Sequence, residues 1–327
     1  MVDTVDIVIT WVNGDDPKWN NKKNQYSNEI FDKKLNSKER YYDYNTLKYF
    51  FRSVEKNASF INKVFLITDN QIPRWLDIDN KKVKIINHQD FIPSKYLPTF
   101  NSNVIESNIF RIEDLSENFI LFNDDMLITR KMNKSDFFKN NLPVDAAIQH
   151  PLIANIKFDN IRLNNMVILN NKFNKRDILK KHFFKFYNYK YGLGNLKNLS
   201  MLPYSNFSGF EDFHLPIAYK KSELKKVYLE NKSHFDDMFK SKFRTSRDIN
   251  QWLFRYYRLC LGQFTPGRIL GKYYTVKEVS KIKYDFKKSK KIKMICINDT
   301  GNADEDCYSD VNHLLNYIFP NKSEFEL

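Results

Sequence analysis

Short apolar runs broken by polar turns set the rhythm of this chain. Val5 to Val12 reads as a buried first strand, stopped by the dense turn Asn13-Gly14-Asp15-Asp16-Pro17. Residues 18–40 are polar and predict a surface helix or excursion. From Asp43 to Asn57, Leu47, Phe50, Phe51 and Val54 recur at helical spacing, with Asp43 placed to cap the N-terminus. Residues 63–69 predict a second strand ending in Asp69-Asn70, and residues 82–88 a third ending near His88. Residues 104–112 suit a short helix, and residues 119–123 form the strand that delivers Asp124-Asp125. This alternation is that of a mainly parallel, Rossmann-like α/β sheet with helices on its faces.

After Pro143 the pattern changes. Residues 145–149 suit another strand, and residues 155–200 are helical in tone. Residues 241–262 predict a long amphipathic helix with Ile249, Trp252, Leu253, Tyr256 and Leu259 on one side. A late strand is expected over 291–297 and a closing helix over 308–318. We therefore expect an α/β half, 1–150, with a basic, mainly helical half, 151–327, packed on it to complete one catalytic unit.

Composition narrows the chemistry. The net charge of +14 is uneven: residues 171–295 hold 29 Lys and Arg against 10 Asp and Glu. Such a field attracts phosphates, acidic polymers or anionic headgroups. No helix-turn-helix, zinc-finger or aromatic RNA-binding signature points to nucleic acid. Three cysteines, Cys260, Cys296 and Cys307, have no metal-site spacing and suit a reducing compartment. The N-terminus does not read as a secretion signal and no run reaches the length of a membrane span. A cytoplasmic protein is expected, peripheral at the inner face of the membrane through its basic half.

Polar groups follow the apolar strands at Asn13-Gly14, Asp69-Asn70 and Asn123-Asp124-Asp125. If the strands are parallel, these groups share one sheet edge and converge on a crevice suited to a nucleotide or nucleotide-sugar. The absence of Gly-x-Gly-x-x-Gly after the first strand, and of a Walker loop, excludes the two commonest phosphate motifs. Adjacent carboxylates raise each other's pKa, a cost that a divalent cation or a proton-transfer role relieves. Arg52 suits a structural ion pair or a phosphate clamp, and Glu106 a core-edge or acceptor-facing carboxylate. His214 follows two acids, Glu211 and Asp212, which favour its imidazolium. Arg244 sits at the start of the expected long helix, where an anion would account for it.

The ordered blocks carry a resemblance. Asp6 to Pro17, then Arg40 to Ser53, Val64 to Trp75 and Leu97 to Glu106 through Phe122 to Asp125, then Phe213 to Pro216, then Phe243 to Asp248, together resemble the Stealth family of sugar-phosphate transferases. Tyr44 and Asn108 depart from its usual residues. The resemblance implies a GT-A-like fold and transfer of a sugar-1-phosphate from a nucleotide-sugar to a saccharide or lipid-linked saccharide hydroxyl. A nucleoside monophosphate leaves. UDP-linked N-acetylhexosamine or hexose is the expected donor. The base maps to Asp124 or Asp125, the phosphate-handling residues to His214 and Arg244, with Glu106 as an alternative catalytic carboxylate. Mg²⁺ or Mn²⁺ would be held by Asp124 and Asp125. Thr10, Trp11, Asn13, Gly14, Arg52, Asp69, Asn70 and Asn123 would line the donor pocket.

Overall fold

A computed structural model describes residues 4–27, 32–301 and 303–327. The middle of the expected 18–40 excursion, residues 28–31, and the first three residues lie outside the described residues. Strands β1 (Val5–Thr10), β2 (Val64–Thr68), β3 (Val83–Asn87) and β4 (Asn118–Asn123) are parallel. The chain runs outward from β1 through β2 to β3, then returns to place β4 on the other side of β1. The two directions of winding meet between β1 and β4.

The alternation of the pleat explains why the strands are mostly apolar on both faces. Val8, Phe65 and Phe119 face one apolar layer, and Ile7, Leu66 and Ile120 face the opposite one. Both faces are thus covered, as a parallel sheet requires. The helix Leu47–Asn57 supplies Phe50, Phe51 and Val54 to one layer. The other layer receives the helices Lys157–Lys172 and Trp252–Leu261, both from the second half of the chain.

The second half also joins the sheets directly. Four short strands follow β4 in the chain before the late ones: β5 (Met126–Ile128), β6 (Phe138–Lys139), β7 (Leu142–Asp145) and β8 (Ile217–Lys220). Strand β8 adds to β4 as an antiparallel edge. Strands β6, β7 and β9 (Thr265–Pro266) make a small three-stranded sheet. Strands β10 (Gly271–Thr275) and β11 (Met294–Asn298) are parallel, and β11 pairs antiparallel with β5. The whole is a mixed α/β fold of several sheets flanked by helices. Among the described residues no helix is long and apolar enough to cross a membrane.

A buried ionic network fixes the second half. Arg255 and Arg258, both at most 2% exposed, grip Asp145 at 2.9 Å and 2.7 Å. Arg258 also reaches Glu223 at 3.3 Å, and Arg255 reaches Asp212 at 3.3 Å. Guanidinium forks suit such shared carboxylates, and removing one partner would leave the others buried and uncompensated.

Three local expectations differ from the structure. The long helix begins at Trp252, not near residue 241, because Thr245 Oγ1 donates to Asp248 Oδ1 at 2.7 Å and Asn250 bonds Asn165. Those side chains hold residues 242–251 as an irregular loop. The strand expected at 145–149 lies at Leu142–Asp145, with Gln149 making a single bridge to Phe210. Asp43 caps no helix; it accepts from Trp11 Nε1 at 2.9 Å.

Arg52 is a structural clamp. Its guanidinium donates to both oxygens of Glu326 at 2.7 Å and to the Phe319 carbonyl at 2.9 Å, tying the C-terminal segment to the first helical layer. Arg52→Ala is expected to lower unfolding stability by about 3 kcal/mol and to leave donor KM unchanged. Denaturant unfolding and initial-rate kinetics check this pair of outcomes.

Candidate functional site

The carboxyl ends of β1, β2, β3 and β4 open into a cavity of about 940 Å³. Thr10, Trp11, Asp69, His88 and Asn123 come from those strand ends, at the switch point where ligands of such folds bind. The opposite wall belongs to the second half: Asp212 to Leu215, Arg244, Lys272 and Asp299.

Asp124 and Asp125 occupy the turn where the chain leaves the main sheet at β4 and enters the second sheet at β5. The pairing of Met126 with Cys296 brings the end of β11 against this turn. The Ile297 amide donates to the Asp125 carbonyl at 2.9 Å, and Cys296 Sγ approaches Asp125 Oδ2 at 3.2 Å. Burial beside Asp125 pushes the Cys296 thiol well above its ordinary pKa, so it stays a neutral donor. His214 Nε2 lies 3.8 Å from the same Asp125 oxygen. Asp125 Oδ1 is buried with no hydrogen-bond partner. For Asp124, burial first, then the Asp125 and Asp43 carboxylates, raise the pKa well above the ordinary carboxylate range.

His214 sits in the left-handed region, φ 48°, which turns its ring back toward the Asp-Asp turn. Its segment is anchored one step upstream. Asp212 binds Arg162 at 3.1 Å, Arg255 at 3.3 Å and the Tyr256 hydroxyl at 2.6 Å. Asp212 is therefore chiefly a fixture, while Glu211 turns to Lys197 at 2.5 Å. Burial alone would lower the His214 pKa. The nearby Asp125 carboxylate outweighs it, with help from Glu106 and Asp212, and the net shift is upward.

Arg244 reaches the cavity from the irregular loop. Asn36 holds its backbone from both sides, accepting from its amide at 3.0 Å and donating to its carbonyl at 3.1 Å. Downstream, Asp248 Oδ2 accepts from Asn101 at 2.7 Å and Asn103 at 3.1 Å, the latter on the helix Ser102–Ser107. The Arg244 guanidinium bonds Ser102 on one nitrogen, and its other terminal nitrogen, NH1, is buried without a partner. Arg40 stands near it: burial and then the Arg244 charge lower the Arg40 pKa to about 10, which leaves the Arg40 guanidinium charged at neutral pH. Glu106 lies on the same helix as Ser102, and burial pushes its pKa up to about 7 against the pull of Arg244 and His214.

Thus the fold brings Thr10, Trp11, Asp69, Glu106, Asn123, Asp124, Asp125, His214 and Arg244 to one cavity. Asp69 is already taken by Lys22, at 2.8 Å to each oxygen. Four residues assigned to the donor pocket do not line it. Asn13 is bound to Gln71, its amide donating at 3.0 Å. Gly14 packs on the Tyr41 carbonyl, where a Cβ would come within 2.1 Å. Asn70 takes φ 59° and turns to Asn87, and Arg52 is held by Glu326. Each serves its turn or terminus. Arg40, Lys272, Cys296 and Asp299 were missed. Arg40 opens a quoted block and Cys296-Ile297-Asn298-Asp299 follows an apolar strand, so both signals lay in the sequence; Lys272 had none.

Conserved region 1 of Stealth proteins matches residues 3–30, and conserved region 2 matches residues 40–145. A capsular polysaccharide phosphotransferase of Streptococcus pneumoniae is 43% identical over 333 residues, covering 99% of this chain and 98% of its own. The chain belongs to the Stealth family. An exopolysaccharide phosphotransferase of Lactiplantibacillus plantarum is 40% identical over 98% of this chain and 96% of its own. A receptor polysaccharide phosphotransferase of Streptococcus gordonii is 36% identical over the full length of both. This Stealth protein is accordingly an enzyme, a phosphotransferase, and its second matched region carries Asp69, Glu106, Asp124 and Asp125 of the cavity.

Glu106 has a pH signature. An acid whose folded pKa is raised from 4.5 to about 7 favours folding most when protonated. Stability is lost as pH rises from the unfolded value through about 7. Glu106→Gln removes this loss, so the wild type should fall relative to the variant by up to about 3 kcal/mol across that window. Parallel stability curves from pH 4 to pH 8 would contradict the assignment.

Proposed function

We propose that this enzyme transfers a sugar-1-phosphate from a nucleotide-sugar to a hydroxyl of a second saccharide, in the assembly of a capsular or other cell-surface polysaccharide. The observation that carries this reading is the presence in one cavity of two guanidiniums, Arg40 and Arg244, and an Asp-Asp turn. Among the described residues neither arginine forms an ion pair at contact distance, and Arg244 keeps an unpartnered buried nitrogen. That is a geometry for an anion with several oxygens, as a diphosphate has. The relatives named as polysaccharide phosphotransferases support the same class. A UDP-linked N-acetylhexosamine or hexose is the proposed donor.

In this reading the acceptor oxygen attacks the phosphorus that bears the sugar. The new P–O bond makes a phosphodiester, the bond to the bridging oxygen breaks, and the nucleoside monophosphate leaves with that oxygen. The sugar's anomeric bond is untouched. Asp124 takes the acceptor's proton, its raised proton affinity suiting it to the task. Arg244, Arg40 and the His214 imidazolium stabilise charge on the diphosphate as the monophosphate departs. The donor set fits a hard divalent cation: Asp125 Oδ1 is buried and unpaired beside a second carboxylate, and both offer oxygen. Asp125 would hold Mg²⁺ or Mn²⁺, which would offset the charge of the diphosphate and leave Asp124 to act as the base.

Nucleotide-sugars incubated with enzyme and saccharide acceptor should release the nucleoside monophosphate and yield a phosphodiester-linked product by mass. Release of the nucleoside diphosphate would mark an ordinary glycosyltransferase and overturn the proposal. Arg244→Ala, Arg40→Ala and Asp125→Asn should each lower kcat by about 10²-fold or more with thermal stability kept. Turnover within a few-fold of wild type in all three would remove them from the mechanism.

A further inference from the structure

The helix Gly194–Ser200 is built inside out. Its buried side chain is the polar Asn198, which donates to the carbonyls of Ala147 at 2.9 Å and Phe186 at 2.6 Å, while Leu196 and Leu199 point outward. The inversion extends to the neighbouring turns. Leu193, Phe184 and Tyr189 are 82%, 80% and 79% exposed, and Phe183, Leu202 and Tyr204 are each more than half exposed. Eight of the large exposed apolar side chains of the described residues fall between 183 and 204. Scattered exposed leucines need no account, but a concentration of this kind marks a surface made for an apolar phase or partner.

The charge around it decides which. Residues 172–204 carry eight Lys and Arg against a single acid, Asp177. Arg176, Lys180 and Lys181 are exposed. Lys185 and Lys190 instead turn inward, donating to the carbonyls of Phe264 and Pro266 at 2.8 Å and 2.9 Å, which pins the apolar turns in place. An apolar surface edged with basic side chains and nearly free of acids is complementary to anionic headgroups over an acyl layer.

We propose that residues 176–204 form a membrane-docking face that seats this protein on an anionic lipid bilayer. Leu193, Leu196, Leu199 and Phe184 enter the acyl boundary, and Arg176, Lys180 and Lys181 lie against the headgroups. The face adjoins the mouth of the cavity. Lys197, on the inverted helix, binds Glu211 at 2.5 Å, and Glu211 lines the cavity. Ile156, exposed at 63%, lines it as well. Docking therefore holds the cavity mouth near the lipid surface, where an acceptor carried on a lipid would present its sugar. The docking claim stands on surface chemistry alone and does not require the proposed reaction.

Co-sedimentation of the full chain with vesicles tests it. Wild type should bind phosphatidylglycerol–phosphatidylcholine vesicles, bind pure phosphatidylcholine vesicles at least about tenfold more weakly, and detach as salt is raised. The triple variant Leu193→Ser, Leu196→Ser, Leu199→Ser should lose at least about tenfold in partitioning with its melting temperature unchanged, since none of the three is packed. Arg176→Gln with Lys180→Gln and Lys181→Gln should lose the preference for phosphatidylglycerol. No binding by folded wild type, or unchanged binding by the leucine variant, would overturn the proposal. So would a concentration-dependent dimer that only the leucine variant abolishes, which would assign the face to a second copy of the chain.

Discussion

The buried carboxylate of Asp248 is the constraint on which the site depends. It lies in the irregular loop of the second half and accepts from Asn101 and Asn103 of the first, while Thr245 satisfies its other oxygen. Burial raises its pKa, and those three donors counter the rise. A carboxylate removed from water needs such partners, and here they come from both halves. The result is a bolt across the cavity rim. It sets the loop so that Arg244 lines the cavity beside Ser102, with Asn36 fixing the Arg244 backbone.

His214 is held by the same logic. Asp212, two residues before it, is locked by Arg162, Arg255 and Tyr256. The helix Trp252–Leu261 supplies two of those partners and also packs in the core. Core packing and site geometry are therefore one structure: a change at Arg255 would loosen both. Positioning of this kind is what phosphoryl transfer asks of a protein, since little covalent chemistry falls to it.

Much of the main sheet was legible in the sequence. Its four parallel strands are uninterrupted apolar runs ended by turn residues, and burial on both faces leaves no other pattern. The Asp-Asp turn stood out because paired acids after a buried strand are costly. The helix beginning at Trp252 was read too long, because the apolar spacing from Ile249 continues backward into a loop whose Thr, Asp and Asn side chains bond one another instead. Asn13, Gly14 and Asn70 follow strands toward the right edge but spend their polar groups on local turns. Cys296 meets Asp125 behind the cavity wall only through its register against Met126. No local pattern encodes such contacts. The inverted helix was hidden differently: residues 155–200 read only as helical in tone, and nothing local shows that Asn198 is buried while Leu196 and Leu199 are exposed.

The central claim is that Arg40 of the earlier chain and Arg244 of the later chain, together with the acidic turn, enclose one diphosphate. A crystal structure of the enzyme with a non-transferable analogue of its nucleotide-sugar measures this directly. The account predicts the diphosphate between Arg40 and Arg244 on one side and Asp124-Asp125 on the other, with the nucleoside toward the ends of β1 and β2. A diphosphate bound elsewhere, with Arg244 and His214 turned from it, would contradict the account.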